Sequence, residues 1–232
     1  MLTIAFALFL PLLAIAQKQM EVGGFAGFAN YQGDLSENQI QFGETKLAYG
    51  AFWRYHLHKK FKIRGNGYLG TVTGDDKNAD SMLKERGWSF KSYILEFAVT
   101  GEYHPLGKDR YGETGIFKRR ISPYVATGVG FAFTNTYLNA PTNGDPDPPT
   151  FPEADDTDSF LTIPFMVGVR FDFHEHLAFG TEWGWRTVLS DYLDDVSQNG
   201  NPDRGDWYLF VGASLSYFFG GVEADFFEGK KR

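Results

Sequence analysis

The stretch that decides the fold is "SFLTIPFMVGVRFDF", residues 159–173. Its side chains alternate between two kinds with a period of two, which is the period of a β-strand. A strand in a soluble protein averages five or six residues, whereas a tilted strand needs about 9 to 11 residues to cross a bilayer. The length of this alternation therefore favours a membrane-spanning strand. Its wholly apolar face consists of Leu161, Ile163, Phe165, Val167, Val169, Phe171 and Phe173.

The same alternation recurs along the chain. It is clear over residues 47–58, 92–104 and 207–219, and weaker near 20–31, 61–73, 121–135 and 177–189. With residues 159–173 these runs make eight strands, an even number and a common size for a small outer-membrane barrel. The sequence thus predicts an all-β fold, an eight-stranded antiparallel up-and-down transmembrane β-barrel with periplasmic termini.

The connections between these runs differ in length and charge. With the N-terminus in the periplasm, the outer loops are 32–45, 74–89, 136–158 and 190–206, and the inner connections are 59–60, 105–120 and 174–176. The outer loops carry 18 acidic residues, whereas the inner connections carry 7 basic residues against 3 acidic ones. Long outer loops are typical of such barrels. The net charge of −7 therefore belongs mostly to an acidic outer crown and does not indicate a nucleic-acid partner.

The N-terminal residues predict export. Residues 1–16, "MLTIAFALFLPLLAIA", form an apolar run that closes on a small-x-small pattern, as a signal peptide does. The predicted organisation is a signal peptide over 1–16, an outer-membrane barrel over 17–219 and a periplasmic tail over 220–232, located in the cell outer membrane. The absence of cysteine excludes disulfides, thiolate metal sites, a cysteine nucleophile and a lipid-modified cysteine.

The alternation turns charged side chains toward the barrel interior. An eight-stranded barrel has an interior just wide enough to be filled by side chains, so these charges are expected to pair with one another. The alternative is general acid–base chemistry by His104 with Glu102, or by His56 with Glu96. No serine motif places a nucleophile beside these histidines, so the sequence predicts no enzyme and no cofactor. The inward charges are Arg54, Lys62, Arg64, Arg170, Arg186, Glu96, Glu102, Asp172, Glu182, His56, His58 and His104.

The last outer loop contains an aspartate-rich segment, "SDYLDDVS", residues 190–197. Asp191, Asp194 and Asp195 could gather around Ca²⁺, which takes six to eight oxygen ligands. The spacing lacks the register of a Ca²⁺ loop, and surface acids are usually only solvated. The sequence therefore predicts a solvated loop and no metal site.

Several stretches occur together in the order of one known family. They are "EVGGFAGFANYQGDLSE" (21–37), "YGAFWRYHL" (49–57), "GWSFKSYILEF" (87–97), "ISPYVATGVGFAF" (121–133), "IPFMVGVRF" (163–171) and "SDYLDDVS" (190–197). On these motifs the chain resembles the PorG-like outer-membrane β-barrels of Bacteroidetes, a component of the type IX secretion system. The resemblance implies a noncatalytic barrel that anchors a periplasmic ring of PorK/PorN-like proteins to the outer membrane.

Two periplasmic segments are candidates for contact with such a ring. The connection 105–120 is longer than an inner turn needs and strongly basic, and the tail after Phe219 carries two phenylalanines. The alternative is that the basic residues only neutralise lipid head groups. The barrel would then be a stand-alone structural or defensive protein acting through its acidic outer loops; a lipid hydrolase is a third alternative. The predicted partners are the ring proteins and outer-membrane lipid, with no nucleic acid. The candidate contact residues are Lys108, Arg110, Lys118, Arg119, Arg120, Phe226 and Phe227.

Overall fold

The computed structural model describes residues 19–32, 45–75, 89–111, 115–139, 158–188 and 207–220. The predicted signal peptide, most of each outer loop and the tail from 221 lie outside these residues. Within the described ranges, no helix is long and apolar enough to cross a membrane.

Eight strands form one closed antiparallel barrel in sequence order, as the sequence predicts. The barrel closes where the first strand pairs with the last, from Glu21 opposite Phe218 to Gln32 opposite Trp207. Closure matters because it leaves no unpaired strand edge, which a bilayer would not tolerate. The strands are β1 Met20–Gln32, β2 Lys46–His56, β3 Phe61–Asp75, β4 Ser89–Tyr103, β5 Arg120–Asn139, β6 Asp158–Asp172, β7 Leu177–Val188 and β8 Trp207–Phe218.

The outer surface of the barrel is apolar along the strands. On β6, for example, Val169 is 44% exposed while its neighbour Arg170 is 4% exposed. Aromatic side chains lie on this surface near the strand ends, as Phe61 beside Tyr103 does with ring centroids 5.1 Å apart. An apolar outer band with aromatic residues near the interfaces is the surface that an outer-membrane barrel presents to lipid. The protein is therefore an outer-membrane β-barrel.

The interior is filled by large side chains that lie opposite glycines on neighbouring strands. Tyr124 of β5 pairs with Gly168 of β6, and a Cβ added at Gly168 would lie 2.5 Å from the Tyr124 ring. Tyr68 of β3 pairs with Gly50 of β2 in the same way, with 2.6 Å to the ring. These close approaches explain why glycine is placed within strands that would otherwise favour β-branched residues.

One end of the barrel has the short connections. Four residues join β2 to β3 and four join β6 to β7, whereas 13 or 18 residues separate consecutive strands at the other end. Each short connection is a hairpin closed by paired backbone hydrogen bonds, such as those between His58 and Phe61 at 3.0 and 3.1 Å. Outer-membrane barrels have short periplasmic turns and longer extracellular loops, so this end faces the periplasm.

The third periplasmic connection, residues 104–119, folds back under the barrel. The His104 amide donates to the Lys60 carbonyl at 2.8 Å, and a Cβ at Gly107 would lie 2.1 Å from the Lys59 carbonyl oxygen. Farther along, Tyr111 forms a β-bridge with Phe117. The connection is thus held directly against the β2–β3 turn.

Candidate functional site

The predicted interior network of paired charges exists, and its lower part centres on Glu21. The Arg54 guanidinium contacts Glu21 and also donates to both carboxylate oxygens of Glu102, at 2.8 and 2.9 Å. From the other side, Arg170 donates to Glu21 at 2.7 Å and to Asp172 at 2.8 Å. Two of these pairs join strands that are not neighbours in the sheet, Arg54 of β2 with Glu102 of β4 and Arg170 of β6 with Glu21 of β1, so they cross the barrel interior.

A second group of pairs lies higher in the barrel, around Glu182. Arg64 donates to Glu182 at 2.7 and 3.2 Å, and the hydroxyls of Tyr68 and Tyr124 donate to the same carboxylate at 2.6 and 2.9 Å. The carboxylate therefore has four hydrogen bonds, which is what a buried ionised group requires.

Nearest the outer end, Arg186 and Glu96 form a third pair. Arg186 Nε donates to Glu96 at 3.3 Å, and the Tyr208 hydroxyl contacts the other Glu96 oxygen. The Arg186 guanidinium also lies over the Tyr68 and Phe210 rings, 4.9 and 4.6 Å from their centroids. These three groups fill the described interior with large side chains from Glu21 to Arg186.

Two expectations about histidine are wrong. His58 is exposed in the β2–β3 turn rather than directed inward, because β2 ends at His56. His56 Nε2 lies 2.8 Å from Glu21 and not beside Glu96, which lies near the other end of the barrel. A strand that ends two residues earlier than expected accounts for the first error, and an unrecognised partner on β1 accounts for the second.

His104 has a serine beside it, contrary to the sequence expectation. Its Nδ1 lies 3.0 Å from the Ser122 hydroxyl and its Nε2 lies 3.2 Å from Glu102. This order of groups resembles a hydrolytic triad. However, burial and then the nearby positive charge of Lys62 lower the pKa of His104 to about 4. An imidazolium is strongly disfavoured there, so His104 is poorly suited to act as a general base.

Glu21 and the tyrosines that donate to the carboxylates were not predicted from the sequence. Glu21 is fully buried, yet it begins a glycine- and alanine-rich strand whose weak alternation hides the facing of its residues. The available signal is its charge: no other ionisable carboxylate or cation occurs between Met20 and Gln32. A charge within a strand of a membrane barrel is expected to face the interior.

The predicted contact residues of the basic connection fall into two groups. Lys108, Lys118 and Arg119 are exposed, and Arg120 is half-buried at the start of β5. Arg110 instead points up into the barrel opening, where it donates to Asp172 at 3.1 Å and lies over the Phe218 ring at 4.6 Å from the centroid. Arg110 therefore fixes the connection to the barrel floor. Phe226, Phe227 and the "SDYLDDVS" segment lie outside the described residues.

No cluster of potential metal ligands occurs among residues 19–32, 45–75, 89–111, 115–139, 158–188 and 207–220. The aspartates of the last outer loop are not among them, so the possible Ca²⁺ site stays a sequence-based alternative.

Residues 1–224 match the family described as "Domain of unknown function (DUF6089)". The chain belongs to the DUF6089 family. This match spans all eight strands, so the interior network described above is that of a DUF6089 barrel. No curated protein matches the chain.

Solved structures similar to this DUF6089 barrel are outer-membrane barrels. They include the N-terminal β-barrel domain of Pseudomonas aeruginosa OprF (12% identity, 86% of this chain and 98% of that chain, TM-score 0.46). Neisserial surface protein A is similar at 10% identity over 86% of this chain and 96% of that chain, with TM-score 0.49. Ail of Yersinia pestis is similar at 8% identity over 87% and 98%, with TM-score 0.46. Identities this low concern the fold and say nothing about function.

Proposed function

We propose that this barrel is a noncatalytic part of the type IX protein secretion apparatus that anchors a periplasmic ring of PorK/PorN-like proteins to the outer membrane. The motifs shared with PorG-like barrels support the identity of the apparatus. The observation that carries the anchoring role is the basic connection 104–119, which is fixed to the barrel floor and keeps three cations exposed.

The connection is built to hold its position. Arg110 is 8% exposed, with an ion pair to Asp172 above it and aromatic rings around it. Burying an arginine is costly unless it is paired, so this arrangement favours one fixed conformation. A connection that merely joined two strands would not need such an anchor.

The exposed cations lie where a periplasmic partner could reach them. Lys118 and Arg119 directly precede β5, and Lys108 lies next to the β2–β3 turn. A fixed cationic surface favours a partner of opposite charge, because complementary charges steer association and select the partner. We therefore expect the ring protein to present acidic side chains here.

The test reverses two exposed charges together, Lys118→Glu and Arg119→Glu. The matched control is Lys46→Glu with Lys91→Glu, because both lysines are exposed at the opposite end of the barrel and the change in net charge is the same. Outer-membrane abundance, recovery of the ring proteins by pull-down and type IX export are measured for each variant.

We expect both variants to insert normally and only the periplasmic variant to lose ring recovery and export, by about tenfold or more, since like charges in an interface cost several kcal/mol. Normal recovery and export from the periplasmic variant would contradict the proposal. That result would favour the stand-alone barrel that acts through its acidic outer loops.

A further inference from the structure

A cavity of about 230 Å³ lies at the periplasmic end of the barrel, between the lower ends of β3, β5 and β6 and the connection 104–119. At ~30 Å³ for each water this is room for roughly seven waters, less than the ~300 Å³ of the smallest usual ligand pockets. The cavity thus suits a small polar group. Among the described residues its wall contains Lys59, Lys62, Lys108, Arg120 and Arg170, with Asp172 as the one carboxylate.

Lys62 is the most unusual member of this wall. Its side chain belongs to a residue that is 7% exposed, and within the described part of the chain its ammonium group has no hydrogen bond or ion pair. Buried lysines are rarely found without a partner, because removing the charge from water is expensive. The Lys62 ammonium therefore has the capacity to bind an anion in the cavity.

Two arginines of the same wall each have one buried nitrogen without an acceptor in the described part of the chain. Arg170 Nη2 and Arg120 Nη1 are both buried and have no hydrogen-bond acceptor among the described residues. The other two nitrogens of Arg170 donate hydrogen bonds, Nη1 to Glu21 and Nε to Asp172, so only Nη2 has no acceptor in the residues that the structure describes. Three cationic side chains from β3, β5 and β6 therefore surround one small space, and only that of Lys62 is without an ion pair to a described carboxylate while also lying deep in the barrel wall.

The described interior has more positive than negative charges, and the unpaired positive charges lie at this cavity. Six cations are buried (Arg54, Lys62, Arg64, Arg110, Arg170 and Arg186), against four buried glutamates (Glu21, Glu96, Glu102 and Glu182). The partly buried Arg120 and Asp172 add one charge of each sign, which leaves an excess of two positive charges. The two cations without a carboxylate partner in the described residues are Lys62 and Arg120.

We infer that this cavity binds a phosphoryl group. A phosphomonoester carries about −1.5 to −2 charges at neutral pH and three strong acceptor oxygens. Those properties match an excess of two positive charges and a wall of five basic residues better than those of a carboxylate, which brings one charge. The inference does not rest on the proposed secretion role, although Lys108 belongs both to the cavity wall and to the exposed cations of the connection.

The rim of the cavity allows two sources for this group. Leu106 and Ile121 line it and are 61% and 66% exposed, so apolar side chains border the opening at the level where the barrel leaves the membrane. The phosphomonoester head group of phosphatidic acid could enter from the inner leaflet, and free phosphate or a small phosphomonoester could enter from the periplasm. Both would present the same chemistry to Lys62.

The experiment measures thermal unfolding of the refolded chain in phosphate-free dodecyl maltoside. One arm adds sodium phosphate against sodium chloride at equal ionic strength, and the other adds a short-chain phosphatidic acid against octyl glucoside. The variants are Lys62→Met and Arg120→Met, with Lys118→Met as a control because Lys118 is an exposed cation of the same connection that does not line the cavity.

We expect the wild type and Lys118→Met to be stabilised in at least one arm, since a ligand that binds only the folded state raises its stability. Lys62→Met and Arg120→Met should bind about 10- to 100-fold more weakly, the scale for a lost hydrogen bond between charged groups. Without phosphate, Lys62→Met should be at least as stable as the wild type, because it removes an uncompensated charge.

Each outcome decides the inference. Stabilisation by inorganic phosphate identifies a free phosphate or phosphomonoester as sufficient, whereas stabilisation by phosphatidic acid alone identifies a lipid head group. If neither ligand stabilises the wild type, or all variants respond equally, the cavity is not a phosphoryl site. Should Lys62→Met fail to refold, Arg120→Met at the cavity rim decides the question by the same criteria.

Discussion

Glu21 at the start of β1 accepts a hydrogen bond from Arg170 at the end of β6, with 2.7 Å between Oε2 and Nη1, although 149 residues separate them. Glu21 also contacts Arg54 and His56 on β2. One fully buried carboxylate therefore connects three strands of the barrel, and its loss would leave two arginines without full compensation.

Replacing this carboxylate should destabilise the barrel strongly. We expect Glu21→Gln to lower the free energy of unfolding by about 3 to 5 kcal/mol, the usual cost of removing one partner of a buried ion pair. Urea unfolding in lipid vesicles measures the effect, and Glu175→Gln in the exposed β6–β7 turn is the control. Equal stability of the two variants would show that the Glu21 network contributes little.

The facing of the strands predicts a depth-dependent cost of arginine on β5. Val129 lies near the middle of the strand and is 60% exposed on the outer surface, while Ile121 lies at its periplasmic end and is 66% exposed. Val129→Arg should cost about 2 to 4 kcal/mol and Ile121→Arg about 0 to 1 kcal/mol, because the penalty falls toward the interface. Similar costs for both in bilayer unfolding experiments would mean that the assigned membrane position is wrong.

The buried imidazole of His104 should make the barrel less stable in mild acid. Its pKa is lowered from 6.5 to about 4, mainly by burial, so the unfolded chain takes up this proton before the folded chain does. The barrel should therefore lose stability as the pH falls from about 6.5 to about 4, by roughly 3 kcal/mol at ~1.36 kcal/mol per unit. Carboxylates titrate mostly at the lower end of this window, near pH 4 in model peptides, so the comparison is made above pH 4.5.

The test of this pH dependence compares His104→Gln with His58→Gln, since His58 is exposed in a turn. His104→Gln should lose less stability than the wild type between pH 6.5 and 4.5, whereas His58→Gln should keep the slope of the wild type. An unchanged slope in His104→Gln would contradict the buried, neutral imidazole.

The packed interior predicts a barrel that conducts no ions. Arg64, Tyr68, Arg186 and Phe210 are among the largest fully buried side chains and lie within the interior network. An eight-stranded barrel leaves space for side chains and not for a water channel. Planar-bilayer recordings of the refolded chain should show no steady single-channel current, and stable current steps would contradict the packing.

Much of this architecture could be read from the alternation of side chains. Val169 and Arg170 show why: a period of two with one apolar face fixes which residues meet lipid, and the long apolar runs fix that the solvent is a bilayer. The facing of the β1 side chains was harder to predict. Gly24 and Ala26 on its outer face hardly differ in polarity or size from the glycines on its inner face. The inward position of Glu21 was not predicted for that reason.

The partners inside the barrel could not be predicted, because they depend on register and on strand order around the closed sheet. His56 pairs with Glu21 since β1 lies beside β2, with Glu21 opposite Arg54. Ser122 meets His104 because β4 and β5 are neighbours whose connection folds back under the barrel. The partner of Arg110 could not be predicted either. Arg110 lies in a basic segment that the sequence predicts to be exposed, yet its side chain enters the barrel opening and donates to Asp172.

The most direct test of the anchoring role is site-specific photocrosslinking in intact cells. A photoreactive residue replaces Lys118 in the exposed periplasmic connection, and in a control it replaces Lys91, which is exposed toward the opposite end of the barrel. The anchoring proposal predicts covalent adducts with a PorK/PorN-like ring protein from position 118 and none from position 91. Absence of ring-protein adducts at position 118, with the barrel present at normal abundance in the outer membrane, would contradict it.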